Sequence, residues 1–124
     1  QGVCYVSSYE NTITFQTNSN REICLQISET SNKPLDALFG SAAEVFERHA
    51  IGLLLTGIGD DGTDGFARIK RKSGTTIAQE VETCVYPNLI QCAIERGVVD
   101  FVVNENQLPD TIAALMESTT HVEM

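Results

Sequence analysis

The sequence predicts an α/β protein with a doubly wound, mainly parallel sheet and an N-terminal β-hairpin. In the second half of the chain, short apolar runs alternate with helix-type patterns, and such alternation gives parallel strands joined by crossovers. The predicted strands of this half are 51–55, 75–79 and 98–103. In the first half, the alternating runs 12–16 and 22–27 flank a turn-rich connector and predict the hairpin. A chain of 124 residues fits one domain, residues 1–124.

The remaining elements have signals of their own. A short β-type run lies at 3–6, and Pro34 suits the first turn of a helix that continues to about residue 48. Three later helices are bounded by glycine or proline, at 63–72, 88–96 and 108–116. The polar tail 117–124 is predicted to fray because it offers little apolar surface to a core.

The charge balance limits the classes of function. Eight Lys and Arg residues against 17 Asp and Glu residues give a formal net charge of −9. Nucleic-acid binding needs clustered cations, and the basic cluster at 68–72 ends a predicted helix, where cations complement the helix dipole. No apolar run reaches the length of a membrane span. We therefore predict neither nucleic-acid binding nor membrane insertion.

The cysteines suggest a reducing environment. Cys4, Cys24, Cys84 and Cys92 form no CxxC pair, and neither histidine lies at metal-ligand spacing from a cysteine. We therefore predict buried free thiols, no metal site and a cytoplasmic protein, with zinc binding or disulfides as the alternatives. Because the chain starts with Gln1 rather than Met, we expect a fragment of a longer or processed protein.

Function is expected in the segment 51–66, IGLLLTGIGDDGTDGF, where an apolar strand, a glycine-rich turn and a helix follow one another. Open α/β sheets hold their functional groups at the carboxyl ends of strands. The turn contains Gly57, Gly59, Asp60, Asp61 and Gly62. It is the best candidate for a site, and it has three interpretations.

One interpretation is a nucleotide-binding module, because the three turn glycines form a GxGxxG and Glu80 ends the next strand, where a ribose-binding acid would lie. Two carboxylates in that loop would, however, repel a pyrophosphate. A second interpretation is structural: Asp60 or Asp61 caps the helix that follows, and the glycines supply positive φ angles.

The third interpretation comes from a resemblance. The segments that carry it are PLDALFGSAAEVF, LLLTGIGDDGTDGFARIK, TTIAQEVETCVY and AIERGVVDFV. They resemble the C-terminal part of the CheB-type chemotaxis protein-glutamate methylesterases, whose patterns are PSVDxLFxSAA, LTGMGxDG, TIAQ and A-I-x-x-G-A-V. The resemblance extends in order from residue 2 to about residue 116.

The resemblance implies a doubly wound α/β fold. It also implies a Ser-His-Asp triad, without a cofactor, that hydrolyses glutamyl methyl esters on chemoreceptors and deamidates receptor glutamines. The aspartate of the family's GMGxDG turn falls on Asp61, which would orient the histidine. The backbone N–H that serves the oxyanion falls on Ile58, where the family has Met. The implied partner is a chemoreceptor or another signalling protein.

The sequence also departs from the family pattern. The triad's serine and histidine belong to the family's N-terminal half, upstream of these residues. Ser41 lies on a predicted helix without a nucleophile elbow, His49 near the end of that helix and His121 in the tail. We therefore predict that this chain alone does not catalyse hydrolysis. The family's V-Y/F-G-M-P loop is replaced by VYPNLI at 85–90.

These departures leave an alternative open, a degenerate noncatalytic binding or scaffold module of a signalling protein. An incomplete doubly wound sheet would expose a strand edge or an apolar helix-packing face. We expect that surface to be covered by a homodimer contact or by the N-terminal hairpin.

Overall fold

The structure is a computed structural model that describes residues 5–6, 11–29, 32–57 and 59–123, without the side chains of residues 11 and 117–123. This part of the chain contains two sheets. An antiparallel hairpin pairs β1 (Asn11–Thr17) with β2 (Ile23–Glu29). A parallel sheet has the strand order β3 (Ile51–Leu54), β4 (Thr75–Gln79) and β5 (Phe101–Val103). The predicted α/β fold class and the hairpin are confirmed.

Four α-helices accompany the sheets in the described residues: α1 (Pro34–Phe46), α2 (Thr63–Arg71), α3 (Asn88–Glu95) and α4 (Leu108–Glu123). Helix α2 connects β3 to β4, and α3 connects β4 to β5, as the alternating pattern predicted. Short 3-10 turns follow α1 at Glu47–His49 and β4 at Val81–Thr83.

Three predicted elements differ from the structure by more than two residues. Helix α4 continues to Glu123 instead of ending at residue 116, because no glycine or proline interrupts the tail. Strand β5 begins at Phe101 rather than residue 98, because the backbone of Val98 and Asp100 bonds to the Thr76 hydroxyl. The predicted run 3–6 falls partly outside the described residues, and its described residues 5–6 are not in a strand.

The core lies between the helices α1 to α3 and one face of the parallel sheet. Its buried members are Phe39, Ala43, Leu54, Phe66, Ile69, Ala78, Ile90 and Ala93. In α2, Phe66 and Ile69 are three residues apart and therefore share the buried face, while basic residues occupy the last turn. The rings of Phe39 and Phe66 lie 5.0 Å apart between centroids, which joins α1 to α2.

The hairpin packs on α1 through β1. Phe15 is buried, and its ring meets Phe46 edge to face at a centroid distance of 4.9 Å. The Phe15 N–H also donates to the Ser41 hydroxyl at 2.9 Å. The hairpin forms its own sheet and pairs with neither described edge of the parallel sheet, so the expectation that it covers that edge is wrong. Phe15 of β1 packs against α1, whereas Ile23, Leu25 and Ile27 of β2 stay exposed.

Candidate active site

Asp61 lies in the turn after β3 and is buried, with 7% of its surface exposed. Its Oδ2 accepts the Leu35 N–H at 2.7 Å, and its Oδ1 accepts the Asp36 N–H at 2.9 Å. These are free amides of the first turn of α1, which has Pro34 at its first position. Lys33, at the N-cap of α1, has no acceptor on its side chain. Asp61 therefore caps α1 from another part of the chain.

Asp36 makes the reciprocal contact. Its Oδ1 accepts the Gly62 N–H at 2.9 Å and the Gly65 N–H at 2.8 Å, both at the start of α2. Burial raises the pKa of Asp36, the Gly65 N–H opposes that rise, and the charge of Asp61 adds to it. Two half-buried or buried carboxylates are thus held side by side by helix N-termini, whose partial positive charge offsets their repulsion.

The structural interpretation of the turn is therefore corrected. We predicted that Asp60 or Asp61 caps the helix that follows, but Asp61 caps α1, and α2 is capped by Asp36. Asp60 is exposed and its carboxylate lies 3.3 Å from the Lys33 ammonium, which raises the pKa of Lys33. Neither carboxylate caps α2, because that of Asp61 binds the α1 amides and that of Asp60 pairs with Lys33.

The turn glycines have two different functions. Gly59 and Gly62 have φ angles of 100° and 104°, which only glycine adopts without strain. Gly57 has no positive φ, but a Cβ there would collide with the side chain of Leu89. Ile58, the predicted oxyanion residue, lies outside the described residues.

The loop before α3 is joined to the end of β3. The Thr56 hydroxyl donates to the Tyr86 carbonyl at 3.1 Å and accepts the Tyr86 N–H at 2.8 Å, and the Gly57 N–H donates to the same carbonyl at 2.8 Å. Val85 and Tyr86 expose much of their apolar surface beside this junction. The altered 85–90 segment therefore has a defined position next to the glycine turn.

The local serine and histidine do not complete a triad with Asp61. The Ser41 hydroxyl accepts the Phe15 N–H and donates to the Leu38 carbonyl at 3.0 Å. His49 follows the C-terminus of α1, whereas Asp61 binds its N-terminus, and a helix of 13 residues is about 20 Å long. The backbone of His121 is in α4, and its side chain is not described.

The nucleotide-binding interpretation is not favoured. A pyrophosphate bound by a GxGxxG turn uses the free N–H groups at the start of the following helix. Here the Gly62 and Gly65 N–H groups already bind the Asp36 carboxylate. Within the described part of the chain, no group of three or more His, Cys, Asp or Glu residues is arranged to hold a metal ion. No helix in that part is long and apolar enough to cross a membrane.

A buried carboxylate at the carboxyl end of a parallel strand, between two helix N-termini, places this chain among α/β proteins that carry their functional groups at strand ends. The sequence model of the CheB methylesterase family matches residues 1–112. The chain therefore belongs to the CheB methylesterase family. The crystal structure of the Thermotoga maritima CheB methylesterase catalytic domain superposes with a TM-score of 0.77 at 28% sequence identity, covering 91% of this chain and 60% of that one.

Two curated relatives have the name protein-glutamate methylesterase/protein-glutamine glutaminase. The Pyrococcus horikoshii protein is 40% identical over 82 residues, which are 66% of this chain and 22% of that protein. The Clostridium acetobutylicum protein is 32% identical over 117 residues, which are 94% of this chain and 34% of that protein. The chain thus spans about a fifth to a third of the length of these relatives.

Sequence reasoning missed the contribution of Asp36 to the site. This residue lies in the segment PLDALFGSAAEVF, to which we assigned only the resemblance to PSVDxLFxSAA. The available signal was its position in the first turn of a helix that starts with Pro34, where acidic side chains favour free N–H groups. That signal indicates a cap, but it does not indicate that the capped amides belong to α2.

Proposed function

We propose that this chain supplies the aspartate of a protein-glutamate methylesterase active site. The observation that carries the proposal is the Asp61 carboxylate, buried at the carboxyl end of β3 and fixed by two backbone N–H groups. A carboxylate offers about four acceptor positions, so it can still accept the Nδ1–H of a histidine. Asp61 would hold that imidazole in the productive tautomer and stabilise the imidazolium that forms during catalysis.

The serine and the histidine would come from residues outside this sequence. In the proposed reaction the serine oxygen attacks the ester carbonyl of a glutamyl methyl ester while the histidine takes the serine proton and then passes it to the leaving methanol. Water then hydrolyses the acyl-enzyme. The same groups would release ammonia from a glutamine side chain. The Ile58 backbone N–H stays the predicted oxyanion donor.

The proposed partner is a chemoreceptor or another signalling protein that presents the modified glutamate. Support comes from the family to which the chain belongs and from the exposed Val85 and Tyr86 beside the glycine turn. A cytoplasmic location is supported by the free thiols of Cys24, Cys84 and Cys92, which are typical of a reducing compartment. The predicted burial of these thiols is wrong for Cys24, which is exposed. A homodimer contact through an exposed sheet edge or helix face stays a prediction.

The test uses the full polypeptide that carries this segment and a helical peptide bearing a glutamyl γ-methyl ester, with methanol release as the measurement. Asp61→Asn should lower kcat by about 10⁴-fold, as expected when a triad loses its orienting carboxylate. Asp60→Asn is the matched control, because Asp60 is adjacent but exposed, and it should leave kcat nearly unchanged.

Both variants are assayed below the unfolding temperature determined by circular dichroism. A folded Asp61→Asn variant with wild-type kcat would contradict the proposal, as would a wild-type protein that does not cleave the ester. If Asp61→Asn does not fold, the wild-type protein still decides the question by NMR. A strongly deshielded histidine Nδ1–H proton with a through-space contact to Asp61 supports the proposal, and its absence contradicts it.

A further inference from the structure

We propose that Asp36 is a positioning residue for the Asp61 carboxylate, an inference that rests on the function proposed for Asp61. Asp36 makes two hydrogen bonds to the segment that contains Asp61, one as a donor and one as an acceptor. Its backbone N–H donates to Asp61 Oδ1 at 2.9 Å. Its side-chain Oδ1 accepts the N–H of Gly62, the residue directly after Asp61, at 2.9 Å. One residue thus fixes both the carboxylate of Asp61 and the backbone that carries it.

A second amide of the α2 start also binds the Asp36 carboxylate. The Gly65 N–H donates to the same Asp36 oxygen at 2.8 Å, so the carboxylate is bound by two donors from the first turn of α2. With the Leu35 N–H on Asp61 Oδ2, the contacts form a closed set between two helix N-termini. Displacement of the Asp61 carboxylate would break two hydrogen bonds to α1, and displacement of the Asp36 carboxylate would break two to the start of α2. The start of each helix therefore depends on a side chain from the other helix or its N-terminal turn.

The close approach of α1 and α2 limits which side chain can occupy position 36. A Cβ at Gly65 would stand 2.6 Å from the Phe39 Cβ and 3.1 Å from the Asp36 Cα, closer than packed atoms normally lie. The Asp36 Cα is therefore held directly beside the amides that its side chain binds. A glutamate, longer by one methylene, would carry its carboxylate past them, whereas an asparagine keeps an acceptor oxygen at the same reach.

The two-way contact with Asp36 leaves the Asp61 carboxylate a single orientation. A triad aspartate needs such an orientation, because displacement of a reacting geometry by about 1 Å can reduce the rate by about 10²-fold.

The experiment compares Asp36→Ala, Asp36→Asn and Asp36→Glu in the full polypeptide that carries this segment, with the glutamyl methyl ester peptide as substrate. Asp36→Ala and Asp36→Glu should lower kcat by about 10²-fold with KM little changed, and Asp36→Asn should retain kcat within a few-fold. Asp64→Asn is the matched control. Asp64 also lies in the first turn of α2, but it is exposed and pairs with Arg96 at 3.1 Å.

A second measurement does not depend on activity. The Leu35 amide reports on Asp61, because its hydrogen bond ends on Asp61 Oδ2. In Asp36→Ala the hydrogen exchange of this amide should accelerate about tenfold, while Asp64→Asn should leave it at the wild-type rate. Unchanged exchange in a folded Asp36→Ala protein overturns the inference.

The outcomes also separate this inference from the proposed function. If Asp61→Asn is inactive while all Asp36 variants have wild-type kcat, only the positioning role is wrong. If Asp61→Asn has wild-type kcat, the proposed function fails. If Asp36→Ala does not fold, the Asn and Glu variants decide, because equal kcat values for these two would overturn the positioning role.

Discussion

Asp61 caps α1, the helix that contains Asp36, and Asp36 caps α2, the helix that follows Asp61. Asp61 accepts the Leu35 and Asp36 N–H groups of α1, and Asp36 accepts the Gly62 and Gly65 N–H groups of α2. The two helices therefore begin at one point, beside the carboxyl end of β3. This exchange of caps lets a buried and a half-buried carboxylate lie close together, because both bind helix N-termini, which carry partial positive charge.

The Asp36 carboxyl should make stability depend on pH. Its folded-state pKa is raised above the ordinary value of 3.8, mainly by burial. The folded protein thus holds this proton more tightly than the unfolded chain does. The contribution of Asp36 to the free energy of unfolding is full below pH 3.8 and is lost as the pH rises through the raised pKa.

Urea unfolding of the wild type and of Asp36→Asn, from about pH 3 to about pH 7, measures this contribution. We expect the wild-type value minus the Asp36→Asn value to decrease with rising pH. The variant Asp64→Asn corrects for removal of one negative charge from the same helix end. A difference that increases over this range would show that hydrogen bonding outweighs burial at Asp36.

Gly65→Ala should separate the starts of α1 and α2. The added methyl group would stand 2.6 Å from the Phe39 Cβ, and α1 would have to move. We expect a loss of about 1–3 kcal/mol in the free energy of unfolding, the usual effect of overpacking. Thermal or urea unfolding measures it. Gly40→Ala is the control, because the three atoms nearest to a methyl group there belong to the guanidinium of Arg68, which can move.

Thr76→Val should destabilise the parallel sheet. The Thr76 hydroxyl is fully buried, donates to the Val98 carbonyl at 2.7 Å and accepts the Asp100 N–H at 3.0 Å. Valine has a similar shape but removes the donor to the buried Val98 carbonyl, whereas the Asp100 N–H keeps its bond to the Thr76 backbone carbonyl at 3.0 Å. We therefore expect a loss of about 1–3 kcal/mol by urea unfolding. The hydroxyl of Thr63 is also buried but has no partner among the described residues. Thr63→Val should therefore change the unfolding free energy much less, and equal losses would contradict this explanation.

Ser41→Ala should loosen the hairpin without affecting ester hydrolysis. The Phe15 N–H would lose its acceptor, at a cost of about 1 kcal/mol. Faster hydrogen exchange at the Phe15 amide would report the change. Methanol release by the full polypeptide should stay at the wild-type rate. Loss of hydrolysis with unchanged exchange would instead identify Ser41 as a nucleophile.

Much of the fold followed from local patterns. The runs at 51–55 and 75–79 are apolar or β-branched and lie between glycine-bounded helices, which is why their pairing as parallel strands could be predicted. Strand β5 was predicted too long because Val98 and Val99 have strand-type side chains, yet the backbone of Val98 and Asp100 binds the Thr76 hydroxyl. A contact between distant residues outweighed a local propensity.

The sequence located the candidate site but did not predict the contacts between its residues. Asp61 could be selected from its place after a buried strand, together with a family resemblance that the sequence comparison confirms. Its catalytic role stays a prediction. The pairing with Asp36 could not be selected, because 25 residues separate the two and the contact depends on how α1 lies against α2.

The sequence by itself determined that the chain is an α/β protein of the CheB methylesterase family with an acidic glycine turn after its first parallel strand. Glycine spacing, apolar periodicity and the order of segments are properties of the sequence, so they can be recognised before the structure is known. Only the tertiary structure decided which aspartate is buried, which helix it caps and which residue holds it. Those outcomes depend on the distance between two helix ends, which the close packing at Gly65 sets.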